Sequence, residues 1–223
     1  MIKKIFGYTI FTLLLLGVAA WSPWESWDLS FFTLLGIEEQ TEYAGLEVYS
    51  LKDEFDVYID GISVGSVSPE FGSLSVPQIE PGSHIVTLRS DKENFFEFTR
   101  PIDFHRGLSV VVAYELGPSK VFSQGHVFYA LGETVDEGGM ATLTINTAQS
   151  DVSVLLDGAE LGQSPINELE LDLSKNYTIV LKKEGYEELE FNILPETQEE
   201  RDQLSGLDLF IDASLFLIPF DIE

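Results

Sequence analysis

The residues that could support catalysis or metal binding are scattered along this sequence. Its three histidines, His84, His105 and His126, lie in separate segments, and no cysteine occurs. Zinc sites usually show closely spaced pairs of ligands, so this distribution does not indicate a metal centre. Ser83 and His84 are adjacent and would point to opposite faces of a strand, which is the wrong geometry for a nucleophile and its base. The sequence therefore predicts neither enzyme activity nor a cofactor.

Carboxylates are the most numerous reactive groups. The chain has 38 acidic and 12 basic side chains and a formal net charge of −26. Such a surface repels phosphate backbones and excludes nucleic acid as a partner. Calcium prefers oxygen ligands in loops, but no EF-hand spacing occurs, so a solvated acidic surface is favoured over a calcium site. A glycan hydrolase with an unfamiliar pair of carboxylates stays open as an alternative. The candidate calcium ligands are Asp53, Glu54, Asp56, Asp136 and Glu137.

A cluster of aromatic residues is the second candidate for recognition. Phe95 and Phe96 are adjacent, and Phe98, Phe104, Tyr114 and Phe122 follow. Exposed rings could stack on sugars or contact a protein, whereas buried rings would belong to the core of a small β-domain. Phe95 and Phe96 are therefore the candidate binding residues, with the core as the alternative for the rest.

The amino terminus predicts a membrane segment in residues 1–21. Lys3 and Lys4 precede an uncharged run from Ile5 to Trp21. This pattern is typical of a transmembrane anchor or a signal peptide, the latter with cleavage after Ala20. The tryptophans and apolar residues of the juxtamembrane linker, residues 22–43, favour a retained anchor, since indole rings prefer the headgroup zone. The lysines would then be cytoplasmic and the rest of the chain extracytoplasmic.

The remainder of the chain predicts an all-β fold with an internal repeat. Apolar and polar residues alternate, and turn residues punctuate them every 8 to 12 residues or so. A hairpin sequence that contains Asp60 and Gly61 recurs 97 residues later at Asp157 and Gly158. We expect tandem modules at residues 44–131 and 140–223, joined by a linker at 132–139. The turn positions of the first copy are Asp60, Gly61, Gly65, Pro69, Pro81 and Gly82, and those of the second are Asp157, Gly158, Gly162, Pro165, Gly185 and Tyr186.

Both copies resemble PEGA modules through these turn residues and their spacing. The first carries Ile79-Glu80-Pro81-Gly82-Ser83-His84 before a strand, and the second carries Lys183-Glu184-Gly185-Tyr186. The first copy has Asn94-Phe95-Phe96 where Gly-Tyr is usual, and the second lacks the Pro-Gly turn. The resemblance implies an immunoglobulin-like or transthyretin-like β-sandwich, attached to anchors or surface-layer proteins, with no catalytic residues.

Together these features predict a non-catalytic, membrane-anchored extracytoplasmic protein. Its two modules would bind or scaffold an envelope protein or polysaccharide through loops or an exposed sheet edge. A lectin-like module for cell-wall or surface polysaccharide and a purely structural spacer are the alternatives, and the secreted form would follow from cleavage at Ala20.

Overall fold

The chain folds into β-strands with little helix. The structure, a computed structural model, describes residues 43–50, 52–70, 72–132 and 139–219. Its content of 57% strand and 5% helix confirms the all-β prediction. The strands are β1 (Ala44–Ser50), β2 (Phe55–Ile59), β3 (Ile62–Val67), β4 (Ser73–Ile79), β5 (Gly82–Arg89), β6 (Phe98–Phe104), β7 (Ser109–Glu115), β8 (Gln124–Leu131), β9 (Met140–Thr147), β10 (Ser153–Leu156), β11 (Ala159–Gln163), β12 (Ile166–Asp172), β13 (Thr178–Lys182), β14 (Leu189–Asn192) and β15 (Asp208–Ser214). A 3-10 turn at Lys120–Phe122 and a short helix, α1 (Gln198–Asp202), accompany them.

A seven-stranded sheet joins the two halves of the described chain. Its order is β12-β9-β15-β8-β7-β1-β4. The central strand β8 is antiparallel to both β7 and β15. On its two sides β1 runs parallel to β7, and β9 runs parallel to β15. The strand order is therefore symmetric about β8, with three strands from each sequence repeat on either side.

Two four-stranded sheets cover opposite faces of this shared sheet. Their orders are β3-β2-β5-β6 and β11-β10-β13-β14. Val127 of β8 packs in the core beneath the first, whereas Phe128 and Ala130 pack in the core beneath the second. Successive side chains of a strand point to opposite faces, so the two cores lie on the two sides of β8.

The same hairpin turn occurs in both halves. Asp60 and Asp157 have φ angles of 51° and 49°, and a glycine with positive φ follows each. Two consecutive positive φ angles are typical of the type I′ turn, which matches the twist of paired strands. The Oδ1 atom of Asp60 accepts the Ile85 N–H at 2.8 Å, and that of Asp157 accepts the Thr178 N–H at 3.0 Å. Each carboxylate thus ties its hairpin to the next strand of its own sheet.

The strand β8 ends at Leu131, where the predicted first module also ends. This strand falls within the predicted first module, residues 44–131, yet it pairs along its length with β15 of the second. The boundaries and the sandwich type stay predictions. The predicted anchor and the linker residues 22–42 lie outside the described residues, as do 133–138. Within the described part no helix has the length and apolar character to cross a membrane.

Candidate functional site

A groove of about 860 Å³ lies on the face of the shared sheet that the second four-stranded sheet covers. That sheet ends at β14, whose Phe191 packs over β8, and it leaves β7 and β1 uncovered on this side. The uncovered strands form the floor of the groove, and β14 with the segment 193–204 forms its wall. We call this region the acidic groove, because three of its lining residues are glutamates, Glu47, Glu196 and Glu200.

The floor of the acidic groove consists of two rows of cross-strand neighbours. Each row takes one residue from β1, one from β7 and one from β8, in direct register. The β7 residues are small, so the floor is lowest along this strand. The two rows are Glu47, Val111 and Phe128, then Tyr49, Ala113 and His126.

On the opposite face of the shared sheet, large and charged side chains occupy the space that corresponds to the acidic groove. The pairing of β15 with β9 places Phe210 and Asp212 where β7 carries Val111 and Ala113. Phe210 stacks on Tyr129 of β8 at 5.2 Å between ring centroids. Asp212 forms an ion pair with Arg100 of β6, and both residues line an opposite cleft of about 310 Å³. One half of the molecule therefore leaves only a smaller cleft on its face, and the other leaves the larger acidic groove.

An extended loop supplies the wall of the acidic groove. The connection from β14 to β15 contains 15 residues, 193–207, whereas that from β6 to β7 contains four, 105–108. Arg201 holds the longer loop together through its guanidinium. It donates to the carbonyl oxygens of Leu173, Pro195 and Glu196 at 3.0, 2.8 and 2.8 Å. Charged donors to carbonyls make strong hydrogen bonds, so Arg201 fixes the wall in place.

The helix α1 begins with a cap that orients one of the glutamates. Thr197 is the N-cap residue, and its hydroxyl accepts the Glu200 N–H at 3.3 Å. The same hydroxyl donates to Glu200 Oε2 at 2.6 Å. A Thr-x-x-Glu sequence at a helix start is typical of a capping box. This local arrangement keeps the Glu200 carboxylate at the rim of the groove.

The electrostatics of the acidic groove favour a cation. No lysine or arginine occurs among its described lining residues. Glu47 accepts a hydrogen bond from the Tyr49 hydroxyl at 2.8 Å. This hydrogen bond, together with partial burial and the charges of Glu47 and Glu196, raises the pKa of the Tyr49 hydroxyl. The phenol therefore stays neutral at physiological pH.

His126 is buried at the inner end of the floor. It is 8% exposed, and its Nδ1 atom has no hydrogen-bond partner in the described part of the chain. Its ring stacks on Phe191 with centroids 3.8 Å apart and planes at 12°. Burial lowers the pKa of the imidazole to about 4, so the ring is neutral at pH 7. His126 thus contributes a flat, uncharged surface rather than a positive charge.

Removing the Arg201 side chain should loosen the groove wall. We expect Arg201→Ala to increase amide hydrogen exchange in residues 195–204 by about tenfold or more, because several charge-assisted hydrogen bonds are lost. The measurement is exchange mass spectrometry on native protein. Arg106→Ala removes an exposed arginine from the shorter connection and is the matched control. Equal exchange in both variants would mean that the loop is held by other contacts.

The aromatic candidates Phe95 and Phe96 lie away from the acidic groove. Both are half-buried and pack against the first core, and Lys92 Nζ lies 4.9 Å from the Phe95 ring centroid. The Phe96 N–H donates to the Gly117 carbonyl at 2.8 Å. Phe96, but not Phe95, lines the opposite cleft. Of the other aromatics, Phe98, Phe104 and Tyr114 are buried in the same core, and Phe122 is half-buried.

The predicted turn residues lie at several separate places along the strands and their connections. Gly65 and Gly162 have φ angles of 147° and 134°, and the facing strand shifts register beside each. Gly185 has a φ of 81°, and Tyr186 forms an isolated bridge with Leu217. Pro69 is exposed after β3, Pro81 precedes β5 at Gly82, and Pro165 follows β11. Pro69, Pro81 and Pro165 lie in connections between strands of different sheets, so the turn positions do not converge on one site.

The candidate metal ligands do not converge either. Asp53 pairs with Lys92 at 2.5 Å, and Asp56 accepts from the Tyr58 hydroxyl. Asp136 and Glu137 lie outside the described residues. Elsewhere in the described ranges no group of three or more His, Asp or Glu side chains is placed to hold a metal ion. His84 pairs with Asp60 in the first hairpin at 2.6 Å, apart from the other two histidines.

The acidic groove was missed from the sequence because its residues come from five separate segments. The one signal is the charged stretch after Pro195, which contains Glu196, Glu200 and Arg201 but is equally typical of a solvated loop. A long insertion between two strands that are closely connected in the other repeat was detectable, and long loops often carry function.

Comparison with known families assigns part of the chain. Residues 140–203 match the PEGA domain, so a PEGA domain lies at this position. The match runs from β9 through α1 and includes Phe191, Glu196 and Glu200 of the groove wall. The predicted resemblance of the second repeat is thereby confirmed over these residues, and that of the first stays a prediction. No curated protein matches the chain.

Proposed function

We propose that this chain is a membrane-anchored, extracytoplasmic binding protein without catalytic activity, and that the acidic groove is its ligand site. The PEGA domain at residues 140–203 supports an extracytoplasmic or surface-associated setting. In this proposal residues 44–131 form a second PEGA-like module, residues 1–21 anchor the chain, and the lysines before the apolar run stay cytoplasmic.

The observation that carries the proposal is the difference between the two faces of the shared sheet. On one face Phe210, Asp212 and Arg100 occupy the space and leave a cleft of about 310 Å³, whereas on the other a groove of about 860 Å³ stays open above Val111 and Ala113. The fold therefore does not require an open groove. A concave site of this volume with a few convergent polar groups has the usual character of a ligand-binding site.

A binding role agrees better with the chemistry of the groove than catalysis does. The Nδ1 atom of His126 makes no hydrogen bond to any residue that the structure describes, and a neutral imidazole with a pKa of about 4 is a weak base. Ser109, the serine on the floor, lies against Gly45 rather than against the imidazole. A nucleophile and a base in contact would be needed for serine hydrolase chemistry, and this pair does not supply them.

A larger side chain on the floor of the acidic groove should strongly weaken binding to the cell envelope. Val111→Phe introduces the aromatic side chain that the opposite face carries at Phe210, and Val111 is half-buried beside open space. We expect this variant of residues 42–223 to lose at least about tenfold in retention on isolated cell envelopes, the effect typical of a central contact. Phe210→Val changes the opposite face and should keep wild-type retention. Matching thermal unfolding midpoints would show that both variants fold.

The same assay distinguishes the alternatives. The lectin-like hypothesis would be supported if retention disappears after enzymatic removal of glycans. It also requires that Phe95→Ala or Phe96→Ala abolishes retention and that Val111→Phe does not. Loss with a calcium chelator alone would point to the acidic loops. No retention under any condition would overturn the binding proposal and favour a structural spacer.

A further inference from the structure

The free edge of β14 gives the acidic groove a backbone recognition surface. Ile193 donates its N–H to the Tyr177 carbonyl at 3.0 Å, and this pair continues the β13–β14 ladder. Hydrogen-bonded and non-hydrogen-bonded pairs alternate in an antiparallel ladder. Ile193, Phe191 and Leu189 therefore bond to β13, while Glu190 and Asn192 direct their N–H and C=O groups away from it. Among the described residues nothing pairs with these outward groups.

The position beside β14 lies directly above the floor of the acidic groove. Phe191 of β14 stacks on His126 of β8, so β14 runs over the centre of the shared sheet. Neighbouring strands are about 4.8 Å apart, and packed sheets are about 10 Å apart. One further strand added to β14 would therefore lie above β7 and β1, which this side leaves uncovered. The acidic groove therefore lies where a fifth strand of the sheet β11-β10-β13-β14 would lie.

The side chains around this place define the chemistry of the occupant. Residues of an added strand that face the floor would meet Val111, Ala113 and the ring of Tyr49. Residues that face outward would approach Glu196 and Glu200 at the rim, and Glu47 lies at the far side. On the opposite face the chain supplies its own cation, Arg100, to Asp212. No arginine or lysine occupies the groove among the described residues that line it, so its carboxylates are available to a partner's cation.

We propose that the acidic groove binds an extended polypeptide segment that alternates basic and apolar side chains, by adding it as a fifth strand to the free edge of β14. This inference deepens the proposed function and rests on it. Main-chain hydrogen bonds to Glu190 and Asn192 would give affinity, and the floor and rim would select alternate side chains. The occupant is a segment of a partner protein, and the charge of the groove excludes acidic segments from it.

A random dodecapeptide library panned against the full-length chain in detergent tests this inference. We expect enrichment of peptides that alternate lysine or arginine with apolar residues, and a synthetic peptide of the consensus sequence should bind more weakly at higher salt. Enrichment of neutral or acidic peptides, or no enrichment at all, would overturn the proposal.

A matched pair of variants tests the strand addition itself. Glu190→Pro removes the outward N–H without touching the ladder to β13, and proline is tolerated at an edge. Glu190→Ala removes the same side chain and keeps the N–H. The consensus peptide should bind Glu190→Pro about tenfold or more weakly than wild type, and Glu190→Ala within about twofold.

A backbone-modified peptide gives an independent measurement that does not depend on the folding of a variant. N-methylation of alternate residues removes every N–H on one edge of the peptide, so one of the two possible methylation frames should lose binding to the wild-type chain. Binding that survives in both frames and in Glu190→Pro, but is lost in Val111→Phe, would reject strand addition and leave the groove as the ligand site. Binding unaffected by Val111→Phe would reject the groove itself.

Discussion

Substituting alanine for Gly125 is expected to lower the free energy of unfolding by about 3 to 5 kcal/mol. Gly125 has a φ of 149°, and a Cβ atom there would lie 2.2 Å from the Ala113 carbonyl oxygen and 2.7 Å from the Tyr114 Cα atom. These are backbone atoms of β7, so they cannot move aside without breaking the β7–β8 ladder. Backbone strain and overpacking each cost about 1 to 3 kcal/mol.

The measurement is urea unfolding of residues 42–223, followed by circular dichroism. Gly61→Ala is the matched control, because Gly61 also has a positive φ, of 78°, but has no atom within 4 Å of the added Cβ. It should cost about 1 to 2 kcal/mol for the left-handed conformation alone. If both variants unfold at the same urea concentration, the close approach of β8 to β7 does not matter for stability.

The pairing of β8 with β7 is the part of the fold that was hardest to derive from the sequence. The hairpins at Asp60 and Asp157 follow from local turn chemistry, and alternating strands such as β7 follow from periodicity. The central position of β8 in the shared sheet does not follow from its own sequence, because this position depends on which strands flank it. Its run of apolar residues from Val127 to Leu131 is typical of a strand buried on both faces, but a periodicity argument does not distinguish this from an edge strand of one module.

The candidate site shows the same limit. Their aromatic side chains make Phe95 and Phe96 candidates for binding. In a small domain, however, most large side chains are needed for packing, and these two contact the first core. The acidic groove depends instead on small residues, since Val111 and Ala113 stand where the other repeat has Phe210 and Asp212. Such a difference appears only when strand register aligns the two repeats, and register was not available from composition or spacing.

The two halves also differ in how they use charge. Arg100 joins β6 to β15 across the opposite cleft, so the first repeat provides a cation to the second. At the position of Arg100 the second repeat has Phe191, which covers His126 instead. The exchange of a cation for an aromatic ring converts a closed internal contact into one wall of a groove. The same strands thus form an ion-paired contact on one face of the shared sheet and the proposed binding site on the other.

The buried imidazole beneath that ring should make the protein sensitive to mild acid. Burial lowers the pKa of His126 to about 4, from the ordinary value of 6.5 for an exposed ring. Between these values the unfolded chain binds a proton that the folded chain does not, so the free energy of unfolding falls as pH decreases from 6.5 to 4. At about 1.4 kcal/mol for each pKa unit, the loss from this group is about 3 kcal/mol.

Comparison of the wild type with His126→Phe isolates this effect, because phenylalanine keeps the ring stack on Phe191 and does not titrate. At pH 7 the variant should be as stable as the wild type or about 1 kcal/mol more stable, since the unpaired Nδ1 atom is removed. The stability gap should widen by about 3 kcal/mol between pH 7 and pH 4 in urea titrations. His84 acts in the opposite direction, because Asp60 raises the pKa of its imidazole, but it is present in both proteins and cancels. Parallel stability curves would mean that the imidazole of His126 has the same pKa in the folded and the unfolded chain, and would contradict the prediction.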